Sequence, residues 1–198
     1  MTKKLNNKGF TIIEVLIVLA IAGLILLIVF LAVPALQRSS RNQSRKTDAS
    51  SLLAAVTEYE NNNNGTLPKG YCVNISNQII FSDASGNDTP ATAKLGYYTK
   101  TATGGYNSGT CSSVVTSDPG TALGVGIQTT ATTSFAGGSG TGDRITVYQG
   151  ATCDGGTKTN FGQSNPSFSP VAGAARQIAV VYTTEAGANS YTVSCLSS

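Results

Sequence analysis

The chain has 198 residues, enough for one folded domain and an accessory segment, and only 12% of them are charged while Gly, Ser, Thr and Asn abound. Its net charge of +3 comes from Lys3, Lys4 and Lys8; the other ten basic side chains meet ten acidic ones, so the charge indicates no nucleic-acid binding. Histidine is absent, which excludes Ser/His and Cys/His nucleophile arrangements, and neither an enzyme nor a cofactor is expected.

The first element is a leader over residues 1–9, followed by an apolar segment over 10–36. No side chain from Val15 to Leu36 is charged, and Phe10–Ile13 extend the run backwards. As a helix, 22 residues rise roughly 33 Å, enough to cross a hydrocarbon core of about 30 Å. A buried helix of a soluble protein would show a polar face, and none is present. An ordinary secretory signal fits less well. Ala20-Ile21-Ala22 resembles a cleavage site, but mostly apolar sequence continues well beyond it. Lysines at one end and Arg38, Arg41, Arg45 and Lys46 at the other leave the positive-inside count near a draw. The cysteines and the polar C-terminal part favour that end lying outside. Glu14 is the one ionisable residue out of place in the run.

Residues 37–65 continue the helix with an amphipathic pattern. Arg38, Arg41 and Arg45 share one face, expected to be solvated, or else to meet lipid headgroups or acidic neighbours. Leu52, Leu53, Val56 and Tyr59 form an apolar stripe expected to pack on a head domain, and Asn61–Gly65 ends the helix, with Gly65 as a left-handed stop. Residues 66–198 read as a β-rich head. "NQIIF", "ITVY" and "QIAVVY" are strand-like, and "QIAVVYTTEAGANSYTVSC" is a hairpin turning near Glu185–Asn189. The fold class is therefore α+β: a long N-terminal helix carrying a small antiparallel sheet. Cys72, Cys111, Cys153 and Cys195 lack metal-ligand spacing and read as two disulfides. Spacing leaves three connectivities open; Cys72–Cys111 and Cys153–Cys195 are favoured because each joins neighbouring β segments. "DASGND" at 83–88 is a turn rather than a calcium loop, because its glycine comes too early. Asn42, Asn64, Asn74 and Asn87 match N-x-S/T, a weak pattern in a chain rich in these residues.

Lys8-Gly9-Phe10-Thr11-Ile12-Ile13-Glu14, followed by Val15-Leu16-Ile17-Val18-Leu19-Ala20-Ile21, resembles the class III signal of type IV prepilins and pseudopilins. The likeness covers residues 8 to about 36, with a weaker architectural similarity beyond. It implies that a prepilin peptidase cuts between Gly9 and Phe10 and N-methylates Phe10. Glu14 then becomes an assembly residue near the new amine, either its own or an adjacent subunit's; the alternative is a plain first-turn helix stabiliser favoured by the helix dipole. Gly23 and Pro34 would be points of helix flexibility, as in related filaments, or residues merely tolerated in a membrane helix. The implied protein is a structural subunit of a type IV pilus, stored in the cytoplasmic membrane with its head outside, then polymerised into a surface filament for adhesion, motility or DNA uptake. The implied partners are copies of itself, the peptidase, a membrane platform protein and an assembly ATPase. A pseudopilin or minor pilin is the alternative within the class. Outside it stands a single-span surface domain that binds a ligand and never polymerises.

Overall fold

The computed structural model describes residues 9–68, 70–73, 78–82, 93–96, 106–107, 110–111, 124–128, 135–136, 144–159, 166–187 and 190–198. Contacts divide the chain into two compact units, Met1–Ser40 and Arg41–Ser198. A single helix, α1 (Ile12–Asn62), contributes to both.

In the first unit the helix is apolar from Val15 to Leu36, and its large hydrophobic side chains there are exposed. It is long and apolar enough to cross a membrane. Helical geometry continues through both Gly23 and Pro34. An added Cβ at Gly23 would touch nothing, so packing within the chain does not require glycine there.

The second unit starts from a polar-to-apolar face of the same helix. Asp48, Ala49, Leu52, Ala55, Val56 and Tyr59 are buried at three- and four-residue spacing. Of the expected stripe, Leu52, Val56 and Tyr59 are buried and Leu53 is partly so. This face packs in one core with Ile79, Phe81, Leu95, Ile145, Val147, Ile178, Val180 and Tyr182. The Tyr59 and Phe81 rings meet edge to face at 5.6 Å.

Twelve strands are described: β1 Gly70–Val73, β2 Gln78–Ser82, β3 Ala93–Lys94, β4 Tyr106–Asn107, β5 Thr110–Cys111, β6 Gly124–Gln128, β7 Phe135–Ala136, β8 Arg144–Gln149, β9 Ala151–Thr159, β10 Ser167–Ala172, β11 Ile178–Gly187 and β12 Ser190–Ser197. They form sheets ordered β1-β2-β3, β7-β10-β9, β12-β11-β8-β6 and β4-β5. Pairing is antiparallel except between β6 and β8, which run parallel.

The central strand β11 explains the run Ile178–Tyr182. Ile178, Val180 and Tyr182 face the helix core, while Ala179 and Val181 face a second core with Tyr148, Ala151, Phe168 and Val193. A strand covered on both faces reads as continuous apolar sequence rather than alternation. Cys153 of β9 and Cys195 of β12 are disulfide-bonded, with Cα atoms 5.8 Å apart, and thereby tie two sheets together. The side chains of Cys72 and Cys111 lie outside the described residues, as do the 83–88 turn and the motifs at Asn74 and Asn87.

Strands β9 and β10 lie outside the segments that read as strand-like above; β9 contains Gly155-Gly156 and β10 contains Pro170. Their register gives the reason both are tolerated. Thr157 pairs with Ser169 and Thr152 with Val171, so β9 bulges opposite Pro170, which has no N–H to offer a ladder. Gly156 is required by close approach, since a Cβ there would collide with the Phe168 ring.

The helix ends where its sequence indicated. Asn64 and Gly65 both take positive φ, 53° and 78°, and the Gly65 N–H donates to the Glu60 carbonyl at 2.8 Å. The Arg176 guanidinium lies over Gly65 and approaches the Glu60 carboxylate to 3.6 Å.

Candidate functional site

The first candidate site is the start of α1. Thr11 is the residue before the first helical one, and its hydroxyl and backbone N–H both donate to Glu14 Oε2, at 2.7 and 2.8 Å. The Glu14 N–H faces the Thr11 hydroxyl oxygen in return, at 3.4 Å. Together these contacts make a capping box, in which the orphan donors at a helix start are satisfied reciprocally. Thr11-Ile12-Ile13-Glu14 fits its T-x-x-E pattern, so a sequence signal for Thr11 was present although the local reading of Glu14 above used only its place in the first helical turn. Phe10 is 88% exposed, and Gly9 has nothing within 4 Å of a Cβ position.

Glu14 therefore has a local role that needs no second molecule. Both donors land on Oε2, so the box leaves Oε1 as a second acceptor for a cation. The Thr11 N–H belongs to the Phe10–Thr11 peptide bond and would survive a cut after Gly9. Capping and pairing with a new amine are thus compatible at one carboxylate.

The second cluster lies at the start of the second unit, where the expectation of a solvated arginine face is corrected. Arg45 is 1% exposed and Arg41 45%. Arg41 grips Glu185 with two parallel bonds, Nε to Oε1 at 2.8 Å and Nη2 to Oε2 at 2.6 Å. Arg45 Nη2 donates to Oε1 of the same carboxylate at 2.9 Å. Asn42 completes the group: its amide nitrogen donates to the Glu185 carbonyl and its amide oxygen accepts from the Glu185 N–H, each at 2.8 Å. Helical spacing did place the arginines on one face. Their partner lies 140 or more residues away, where no local pattern could reveal it.

The Arg41 guanidinium holds the Glu185 carboxyl below the ordinary carboxylate range; partial burial opposes this and Arg45 adds to it. A depressed folded-state pKa contributes stability that is complete above the unfolded value and lost as pH falls through the folded one. Urea midpoints of the detergent-solubilised chain should include a Glu185 contribution that is complete at neutral pH, begins to fall near the ordinary Glu value of about 4.3 and is lost as pH drops through the lower folded-state value. That part of the acid dependence should be missing from Glu185→Gln. Parallel acid curves for the two proteins would contradict the assignment.

The same geometry bears on the N-x-S/T motif at Asn42, whose amide is engaged on both atoms. Asn64 is exposed in the turn after α1. Asp48, nearly fully buried, accepts from the Gly96 N–H at 2.8 Å and secures the loop after β3. Among the described residues no group of three or more His, Cys, Asp or Glu could hold a metal.

No curated protein and no solved structure matches the chain. The prokaryotic N-terminal methylation motif matches residues 4–30, a span that contains Gly9, Phe10, Glu14 and most of the apolar part of the helix. With that helix exposed and long enough for a bilayer, the segment fits a membrane-anchored precursor. The chain thus carries, at its N-terminus, the class III signal of type IV pilin- and pseudopilin-type prepilins.

Proposed function

We propose that this chain is a structural subunit of a type IV pilus, cut between Gly9 and Phe10, N-methylated on Phe10 and polymerised through its apolar helix. The observation that carries the reading is the methylation motif over residues 4–30, placed on a helix whose apolar side chains are exposed all round. Such a surface needs lipid or other helices to cover it, and a filament core supplies helices. A disulfide-bonded head suits the exterior of a cell, where thiols oxidise. The partners on this reading are other copies of the chain, a prepilin peptidase, a membrane platform and an assembly ATPase. Membrane storage precedes surface assembly, and the role is structural rather than enzymatic.

The test is the N-terminus of the assembled protein. Filaments sheared from cells should contain a subunit beginning with N-methyl-phenylalanine at Phe10, and inactivating the peptidase should abolish both that terminus and the filaments. An intact Met1 leader in the assembled protein would overturn the reading. So would a surface protein unaffected by loss of the peptidase, which is the behaviour of a plain anchored domain.

A further inference from the structure

We propose that Arg41, Asn42, Arg45 and Glu185 form a clamp that fixes where unwinding of α1 must stop. The proposal extends the filament-subunit reading, because a stop matters most when a fibre is pulled.

Three observations support it. First, the clamp stands where the buried part of the helix begins: among the described residues no side chain of the helix before Arg45 is buried. The segment ahead of it contains Gly23 and Pro34, the residue types least able to hold a helix, so unwinding begins there at least cost. Second, one turn of helix directs five hydrogen bonds at a single residue, three to the Glu185 carboxylate and two to its main chain. Arg41 contributes a planar bidentate pair, which fixes direction as well as distance. Arg45 is fully buried and also bonds Asn42 Oδ1 at 3.1 Å, so the two elements cannot separate without desolvated charge losing its partner.

Third, Asn42 completes a sheet edge. Strand β8 pairs with β11 only across Ile178–Tyr182, whereas β12 accompanies β11 as far as Gly187. Glu185 therefore lies beyond the end of β8, with a main-chain donor and acceptor that no β8 residue meets. The Asn42 carboxamide supplies both missing partners. It does so as a neighbouring strand would, and this makes the helix turn part of the sheet's hydrogen-bonding. No residue lacking an adjacent donor and acceptor can do the same, which distinguishes this clamp from a surface ion pair.

Hydrogen exchange of the detergent-solubilised full chain, followed by mass spectrometry, tests the clamp without any need for filaments. In the wild-type protein, protection beyond the detergent-covered apolar run should begin at about residue 41. Asn42→Asp keeps an acceptor but loses the donor and sets a second carboxylate beside Glu185. It should speed exchange across residues 41–48 by about tenfold or more and leave residues 52–60 protected. Arg41→Lys, a milder change at a half-exposed position, should give a smaller rise over the same residues. Unchanged exchange at 41–48 in both variants would overturn the proposal. A uniform rise through 52–60 in both would overturn it too, since the cluster would then hold the whole head rather than a boundary. Chains that show the boundary but form no filaments would count against the pilus reading and leave the clamp intact.

Discussion

Glu14→Gln should be cut after Gly9 and methylated like the wild-type chain, yet yield about tenfold fewer filaments or less, the factor expected for one lost charge-assisted hydrogen bond. The substitution separates two roles that share one carboxylate. Glutamine retains an acceptor for the Thr11 N–H and hydroxyl, and it occupies the same position as Glu in capping boxes, so the helix start remains intact. What it loses is charge. In the assembled fibre an α-amine of ordinary pKa about 7.7–8.0 is mostly protonated at neutral pH and can neutralise a carboxylate held nearby. Without that pairing, an ionised group among apolar helices is strongly unfavourable, so pairing would select the correct axial register. Glu14→Ala removes cap and charge together and should assemble no better than the Gln variant. Wild-type filament yield from Glu14→Gln would reduce Glu14 to its local role with Thr11. Loss of cleavage in either variant would place the residue in processing instead.

Replacing Cys153 and Cys195 together by serine should lower the stability of the folded unit by about 4 kcal/mol, the chain-entropy value for a closure of this size, 42 residues in separation. Domains of ordinary stability possess only about 5–15 kcal/mol in total, so the variant should be near its unfolding threshold at growth temperature. The position of the bond amplifies its effect. Cys153 sits in the irregular part of β9 opposite Pro170, where the strand ladder is interrupted, and Cys195 sits on β12 beside the second core. The covalent link thus holds a place that backbone hydrogen bonding holds poorly. Urea titration of the purified chain, oxidised and reduced, is the measurement. The oxidised variant should unfold at a lower midpoint than oxidised wild type, and reduction should lower the wild-type midpoint at least as far. Equal midpoints for oxidised wild type and variant would show that packing around Phe168 and Val193 suffices.

What local sequence revealed divides along a physical line. The apolar run, the stripe Leu52, Val56 and Tyr59, the helix stop at Asn64-Gly65 and strand β11 were legible because each is a repeat or a turn residue acting on its own neighbourhood. Strands β9 and β10 were hidden because Gly155-Gly156 and Pro170 argue against strands one at a time. The two irregularities face each other and compensate, which only the pairing makes visible. Arg41 and Arg45 belong to the same class: their spacing is local information, but Glu185 is not. At the N-terminus the pattern of the signal was readable throughout. The role of Thr11 went unread because Glu14 drew the reading toward a distant amine.

The capping box has one more effect, on how the chain is presented to a protease. Helices resist proteolysis, since a peptidase must take hold of extended backbone, and by bonding Glu14 the Thr11 side chain starts the helix at Ile12 and no earlier. The Gly9–Phe10 bond is left outside the helix, with a glycine on one side and a fully accessible ring on the other. On the proposed reading, this threonine is what leaves the bond to be cut in non-helical backbone just ahead of the apolar helix.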